Sequence, residues 1–310
     1  MKKLLAALFI LAFSFCLIGC NEEIVENPLL IIEFDDGNQS AWAEGMKPIN
    51  VKKKEVKFIY FGNYMQNEVT GTDLTSDIIN ADYDSLQVAT VNGVTYKQMS
   101  KDDAAFVKDF EGYYDWSQKS NAYFVYAPIK WRVLSIQDGK ALLMCQYGLD
   151  ALPFDSDAKE KYSWADCTLR AWLDGYFKNN AFNETEQSRL QMQSFEFYQD
   201  VITLPSPNEL INEEYGFTRS SAFLNSKSST RHCHVTDYAK ARGAEFVSVL
   251  SDNDGYARAG DWWNRATVID TGLPSYVDFE GLISLEGTDA QKAFAVRPMI
   301  TIDVSDCIKQ

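Results

Sequence analysis

Patterns typical of strands and patterns typical of helices occupy separate parts of this 310-residue chain. An alternating strand pattern at 129–134 and a second apolar run at 141–145 flank an Asp-Gly turn at 138–139, which predicts a β-hairpin. Helical patterns follow, and short apolar stretches between turn-forming residues fill the chain from Gly216 onwards. Because helices and strands that do not alternate cannot build β-α-β units, this order favours an α+β fold.

One stretch has the spacing of an amphipathic helix. Its apolar side chains recur at i, i+3, i+4, i+7 and i+8, which places them on one helix face. We expect this face to be buried and its tryptophan, like Trp131 in the hairpin, to lie in the core. The residues are Leu169, Trp172, Leu173, Tyr176 and Phe177.

The first residues have the composition of an export signal. Two lysines precede an apolar stretch at 4–18, which is shorter than the ~20 residues that a membrane span needs, and acids follow it. Residues 1–19 are therefore predicted to be a signal peptide. The Leu-Ile-Gly-Cys sequence at 17–20 resembles the lipobox of bacterial lipoproteins. This resemblance implies that Cys20 carries a lipid anchor and that the protein is held on the extracytoplasmic side of a membrane in the cell envelope.

Composition divides the remaining chain into three parts. We interpret residues 20–54 as an acidic tether, residues 55–304 as one domain and residues 305–310 as a tail. Residues 67–122 are polar and lack strong periodicity, so we interpret them as an insertion in that domain. An apolar patch at 29–32 in the tether could form a short strand.

Charge and histidine content exclude several functions. The chain has 44 Asp and Glu against 29 Lys and Arg, a net charge of −15. Nucleic-acid binding requires a basic surface, so it is excluded. Both histidines lie in His232-Cys233-His234, and no partners with zinc-ligand spacing accompany them, which favours a structural role.

The cysteines of the domain and tail permit disulfides but do not choose among them. Four cysteines in an exported protein allow three complete pairings, which all stay open. Two of them also stand where buried free thiols are common, in an apolar strand and at a helix start. The four are Cys145, Cys167, Cys233 and Cys307.

Five phrases in a fixed order resemble a bacterial family of secreted and surface domains of unknown function. The Trp-Trp and Arg-Pro phrases are also similar to those of C-type-lectin-like domains, which include relatives of the formylglycine-generating enzyme. The resemblance implies a C-type-lectin-like domain with few helices, many short antiparallel strands, long loops and a ligand face in those loops. The copper-binding cysteine pair of the formylglycine-generating relatives has no counterpart, so that activity is not expected. The phrases are F-G-x-Y-x-Q at 61–66, P-I-x-W-R-V-L at 128–134, W-x-x-C-x-L-R-x-W-L at 164–173, W-W-x-R at 262–265 and V-R-P at 296–298.

We predict that ligand contact falls in the stretch 251–280, which combines turn-forming residues with large aromatic rings. Neighbouring residues of a strand point to opposite faces, so at most one of Trp262 and Trp263 can face the core beneath. The other is expected near the surface or under a loop, unless long loops wall in both. A tryptophan beside polar groups offers stacking and directional hydrogen bonds. The candidate ligand-binding residues are Tyr256, Trp262, Trp263, Asn264, Arg265 and Tyr276.

A calcium site in the same stretch is a weaker prediction. The Asp-Asn-Asp-Gly sequence at 252–255 resembles half a calcium loop, but Leu250 stands where the full loop needs an acid. A plain turn is favoured. Asp252, Asp254 and Asp261 stay as weak calcium candidates, and no other cofactor is expected.

These features favour a non-enzymatic, lipid-anchored envelope protein that binds a protein or glycan ligand. One alternative is a glycan-active envelope hydrolase that uses paired carboxylates, although no pair of acids stands out in the sequence and no catalytic residue is predicted. A second alternative is a structural or assembly protein of the envelope that uses its aromatic surface for protein contacts.

Overall fold

Antiparallel strands form most of the regular structure, and the helices are few and short. The computed structural model describes residues 31–35, 56–104, 114–195, 198–219, 226–247 and 259–306. Strands and helices do not alternate along these residues, which confirms the α+β class.

The strands are β1 (Ile31–Asp35), β2 (Val56–Glu68), β3 (Val88–Val91), β4 (Val94–Ser100), β5 (Asn121–Gln137), β6 (Lys140–Cys145), β7 (Asp150–Leu152), β8 (Gln193–Ser194), β9 (Gln199–Asp200), β10 (Ile202–Thr203), β11 (Trp262–Thr267), β12 (Pro274–Val277), β13 (Phe294–Val296) and β14 (Met299–Asp303). The α-helices are α1 (Ser76–Ile79), α2 (Thr168–Trp172), α3 (Lys178–Ala181), α4 (Glu184–Arg189) and α5 (Asp237–Arg242). A π-helical turn (Leu173–Phe177) joins α2 to α3.

The large sheet is organised around β5, which has 17 residues. The strand order is β1-β2-β5-β6-β14-β10, and every pair is antiparallel. β5 and β6 form the predicted hairpin around the turn at 138–139. The first part of β5 extends beyond β6 and pairs there with β4, which in turn pairs with β3. The hairpin β3–β4 therefore lies within the segment that we predicted to be an insertion, and it enlarges the sheet.

Strand β1 lies in the predicted tether. It pairs along its whole length with β2, from Ile31 opposite Tyr60 to Asp35 opposite Val56. The strand expected at 29–32 overlaps β1, which forms one edge of the large sheet.

The small sheet has the order β12-β11-β13-β7. Its central pair, β11 and β13, is parallel, whereas its outer pairs are antiparallel. Two short links join one sheet to the other: β6 leads into β7, and β13 leads into β14. Arg297 and Pro298 lie at the second of these crossings, and the Pro298 carbonyl accepts a hydrogen bond from the Cys145 amide at 2.8 Å.

Two hydrophobic cores result from this arrangement. The first core contains Trp131, Phe177 and Trp263 and lies between the large sheet and α2–α3. The second core contains Met144 and Trp262 and lies on the other side of the small sheet. Strand β11 is therefore buried on both faces.

Buried tryptophans and thiols belong to these cores. Trp131 is fully buried as predicted, and its indole donates to the Phe61 carbonyl at 2.7 Å. Cys145, Cys167 and Cys233 are buried free thiols, and burial raises the pKa of Cys145 and of Cys167 to about 12. Cys307 lies outside the described residues.

The predicted helix is present, but its buried face differs from the prediction. Leu169, Leu173 and Phe177 are buried, whereas Trp172 is half-buried and Tyr176 is 37% exposed. The reason is the π-helical turn, whose i→i+5 hydrogen bonds place more residues in a turn than the 3.6 of an α-helix. Residues spaced by four, namely Leu169, Leu173 and Phe177, then share the buried face of the helix. The prediction that Trp172 lies in the core was wrong.

No helix in the described part of the chain is long and apolar enough to cross a membrane.

We predict that Phe177→Ala destabilises the protein far more than Trp172→Ala. Phe177 is fully buried, so its truncation should lower the free energy of unfolding by about 3–5 kcal/mol. Trp172 already contacts water, and its truncation should cost less than half as much. Urea denaturation followed by far-UV circular dichroism measures both, and equal losses would show that the two rings are buried to the same extent.

Candidate functional site

Strand β11 holds both tryptophans of the predicted ligand-binding stretch, and neither is exposed. Trp263 points into the first core and donates to the Leu152 carbonyl at 2.8 Å. Trp262 points into the second core and donates to the Arg231 carbonyl at 3.2 Å. Both tryptophan rings are therefore buried, which is the second of the two alternatives considered above. The reason is that the small sheet has a core on each face.

The polar residues after the tryptophans are buried as well. The Asn264 amide donates to the Ser275 hydroxyl at 2.9 Å, and the Arg265 guanidinium forms an ion pair with Glu209 at 2.7 Å. Their hydrogen-bonding capacity is thus used inside the protein. Tyr276 is half-buried against Phe294, with 4.9 Å between the ring centroids.

The structure therefore brings Trp262, Trp263, Asn264, Arg265 and Tyr276 together on two adjacent strands, where all except Tyr276 are buried. Ligand contact by these residues stays a prediction. Tyr256, the sixth candidate, lies outside the described residues.

Two acids next to these strands order the neighbouring loop. A carboxylate oxygen of Asp261 accepts from the Phe279 amide at 2.9 Å, and one of Asp278 accepts from the Leu282 amide at 2.8 Å. Burial raises the pKa of Asp261 to about 7 and also raises the pKa of Asp278; each effect outweighs the stabilisation that the backbone hydrogen bonds give to the charged form.

The calcium candidates are not assembled within the described residues. There, no three His, Cys, Asp or Glu side chains come together in a way that could hold a metal ion. Asp252 and Asp254 lie outside these residues, so the calcium prediction rests on Asp261 together with two residues for which the structure gives no position.

A different group of residues forms the most distinctive polar site, and the sequence did not predict it. We call it the tyrosine cluster. Five secondary-structure elements supply it. Asp150 is hydrogen-bonded to Tyr64 and Arg242, and the Tyr238 ring contacts those of Tyr64 and Phe124. Tyr126 and Tyr176 lie within electrostatic reach of Tyr238. Its members are Tyr64, Tyr126, Asp150, Tyr176, Tyr238 and Arg242.

Asp150 is the centre of the tyrosine cluster and is buried. One carboxylate oxygen accepts from the Tyr64 hydroxyl at 2.7 Å. The other accepts from the Ala151 amide at 2.7 Å and from the Arg242 guanidinium at 3.2 Å. Arg242 also donates to the Asp103 carbonyl at 2.7 Å, so the ion pair is fixed from both sides.

The four tyrosines span a gradient from the interior to the surface. Tyr64 is fully buried, Tyr238 is 5% exposed, Tyr126 is half-buried and Tyr176 is 37% exposed. Burial is the main cause that raises the pKa of each phenol. All four are therefore neutral at physiological pH, where each hydroxyl can both donate and accept a hydrogen bond.

The Tyr238 hydroxyl makes no hydrogen bond to a described residue, although its side chain is almost completely buried. Its ring packs edge-on against Tyr64, with 6.0 Å between the centroids. The hydroxyls of Tyr126 and Tyr176 and one terminal nitrogen of Arg242 also have no partner among the described residues. Polar groups without a partner inside the protein are open to water or to a ligand, so this set is suited to an external partner.

Trp172 and Tyr176 form an aromatic platform at the edge of the cluster. The Trp172 ring is stacked with Tyr176, with 5.9 Å between the centroids and an angle of 24° between the planes. Trp172 is also stacked on Phe177, and Phe177 contacts Tyr64 at 5.2 Å. The π-helical turn produces this arrangement, because it brings Tyr176 to the surface while Phe177 stays in the core.

Sequence reasoning missed the tyrosine cluster because its members share no spacing. β2, β5, β7, the π-helical turn and α5 each contribute, and only folding brings them together. One signal was available: Tyr64 is the tyrosine of the phrase at 61–66.

A shallow cleft of about 340 Å³ lies on the outer side of α2, between Arg170 and Met192. The Arg170 guanidinium donates to Asp200 at 2.6 Å and to the carbonyls of Ala165 and Gln199. Arg170 is thus occupied in joining α2 to β9, and we assign it a packing role.

Residues 138–304, more than half of the chain, match the family described as a domain of unknown function, DUF6273. The chain belongs to this family. The expected membership of an uncharacterised domain family is thereby confirmed. The curated proteins gave no match, and neither did the solved structures. The DUF6273 region contains Asp150, Tyr176, Tyr238 and Arg242, whereas Tyr64 and Tyr126 come from strands that begin before it.

We predict that Asp261 makes the protein more stable at acidic pH. Its folded pKa of about 7 lies above the ordinary value of 3.8, so between these pH values the folded state holds a proton that the unfolded state releases. The contribution of Asp261 to the free energy of unfolding should therefore fall as the pH rises from about 4 to 7 and then level off.

Asp261→Asn, which keeps an oxygen for the Phe279 amide, should remove this contribution. Urea denaturation of both proteins between pH 4 and pH 8 measures the difference. Asp289→Asn is the matched control, because this exposed aspartate also accepts from a backbone amide. A difference between wild type and Asp261→Asn that does not change with pH would contradict the prediction.

Proposed function

We propose that this protein is a lipid-anchored component of the bacterial envelope and that its domain, of the C-type-lectin-like type, binds a ligand without catalysing a reaction. The observation that carries the binding role is the tyrosine cluster, in which the hydroxyl of the mostly buried Tyr238 has no described partner beside a fixed Asp150–Arg242 ion pair. Sites that bind small molecules typically combine apolar walls with a few convergent polar groups of this kind.

The state of the acids favours binding over hydrolysis. A glycosidase needs two carboxyl groups that face the substrate, one to give a proton and one to attack or to activate water. Asp150 uses both of its oxygens for Tyr64, Ala151 and Arg242. Such a carboxylate is suited to orienting its neighbours rather than to exchanging protons.

One observation keeps the hydrolase as a second candidate. Asp261, with a pKa of about 7, lies within electrostatic reach of Asp278. Burial raises the pKa of both carboxyl groups, and a neighbouring pair of carboxyl groups can serve as acid and base. Release of reducing sugar from envelope glycans that is abolished by Asp261→Asn would favour this candidate, whereas no release by the wild type would exclude it.

The lipid anchor is supported by the lipobox-like sequence at 17–20. Fewer than a dozen residues separate Cys20 from β1, which corresponds to roughly 35–40 Å of extended chain. Because β1 pairs with β2, an anchor on Cys20 would hold the sheet edge at β1 close to the membrane.

We predict that Cys20→Ser abolishes lipidation. A serine cannot form the thioether bond to diacylglycerol, so the variant should keep its signal peptide and incorporate no labelled palmitate. Metabolic labelling in a bacterial host, followed by gel analysis, measures both. Label that persists in the variant would refute the anchor.

We further predict that an extract of small molecules and glycans from bacterial envelopes stabilises the wild-type protein against heat, since a ligand that binds only the folded state raises the melting temperature. Tyr238→Phe removes one hydroxyl and keeps the ring, so it should reduce this shift by at least half. The half-buried Tyr215 lies outside the cluster, and Tyr215→Phe should keep the full shift. No shift in the wild type, or equal shifts in all three proteins, would overturn a binding role of the tyrosine cluster.

A further inference from the structure

The local charge of the tyrosine cluster limits which ligands it can take. Asp150 is compensated by Arg242, so the centre of the cluster carries neither a free carboxylate nor a free cation. The other charged groups in electrostatic reach are Lys97, Asp103 and Asp84. Lys97 and Asp103 carry opposite charges and interact with each other, so they offset each other. The Asp84 carboxylate accepts from the backbone amides of Leu86 and Val88.

This balance argues against a charged ligand. An anion would have to approach a protein with a net charge of −15, and would find one guanidinium already paired with Asp150. A cation would be attracted to phenol rings, but Arg242 already satisfies the carboxylate beside them. A neutral ligand meets neither obstacle. It also avoids the free-energy cost of removing a charged group from water.

The unpartnered groups are those that bind hydroxyl groups. The phenols of Tyr126, Tyr176 and Tyr238 can each donate and accept, and a terminal nitrogen of Arg242 donates. A ligand that carries several hydroxyls has the same double capacity, so it can satisfy all of these groups. A purely apolar ligand would displace water from the Tyr238 hydroxyl without giving it a hydrogen bond, which is costly.

The aromatic platform adds a requirement of shape. Tyr176 is the most exposed ring of the cluster and is backed by Trp172 at 5.9 Å. A flat ring supported in this way accepts a second flat, partly apolar surface. A pyranose ring has such a surface on its C–H face and carries hydroxyls around its edge.

We propose that the tyrosine cluster binds a neutral pyranose of a glycan, with the sugar stacked on Tyr176, its hydroxyls bonded to Tyr238, Tyr126 and Arg242, and no metal ion involved. This inference rests on the proposed binding function and specifies its ligand. It assigns the sugar to residues other than those of the stretch 251–280, so binding should not require calcium.

The test is saturation-transfer NMR and calorimetry on the full-length protein with maltotriose, cellotriose and chitotriose, in the presence and absence of EDTA. We expect at least one trisaccharide to bind, with the C–H protons of one pyranose face receiving the strongest saturation, and EDTA to leave the affinity unchanged. Tyr176→Ala should weaken binding at least 10-fold because the platform is lost. Tyr238→Phe should weaken it about 5-fold because one hydrogen bond is lost, and Tyr215→Phe should have no effect.

Inorganic phosphate and choline are the charged probes, and neither should bind. Saturable binding of either one that is lost in Tyr176→Ala would overturn the assignment to a neutral sugar, as would sugar binding that EDTA abolishes. If no trisaccharide binds while envelope extract still stabilises the wild type but not Tyr238→Phe, the ligand class is wrong and the binding function stands. If neither sugar nor extract acts through the cluster, both proposals fail.

Discussion

The guanidinium of Arg297 holds the point at which the two sheets of this protein meet. It is fully buried and donates to the Cys145 carbonyl at 2.8 Å and to the His232 carbonyl at 3.4 Å. It also lies over the Trp262 ring, 5.0 Å from its centroid. Loss of water lowers the pKa of this arginine, yet the carbonyls and the indole face stabilise its charge. At this point β6 continues towards β7, and β13 continues into β14.

This crossing explains why the small sheet has no open face. The β6–β7 and β13–β14 links place the small sheet between two cores. Trp263 therefore packs into one core and Trp262 into the other. Arg132 and Arg231, which are also buried, donate to backbone carbonyls in the same region. Buried polar groups that are hydrogen-bonded to the backbone fix a unique arrangement of loops, and the long segments around the second core depend on these arginines for order.

The same crossing positions the tyrosine cluster. Asp150 is the first residue of β7, directly after the chain has left the large sheet. It is therefore near enough to β2 for Tyr64 to reach it and near enough to α5 for Arg242 to reach it. The π-helical turn supplies two further rings that point in different directions. Tyr176 faces the surface, whereas Phe177 packs against Tyr64. The cluster is thus a consequence of how the two sheets, the π-helical turn and α5 meet.

The sequence by itself determined the α+β class, the β5–β6 hairpin, the existence of the helix at 168–181 and the buried state of Trp131, because these follow from local periodicity and turn chemistry. It did not determine the exposure of Trp172 or of β11. A period of 3.6 cannot anticipate a π-helical turn, and a strand does not reveal whether one or both of its faces are covered. Only the tertiary structure could assemble the tyrosine cluster, because hydrogen bonds between residues 86 and 92 positions apart are set by strand crossings that no sequence spacing encodes.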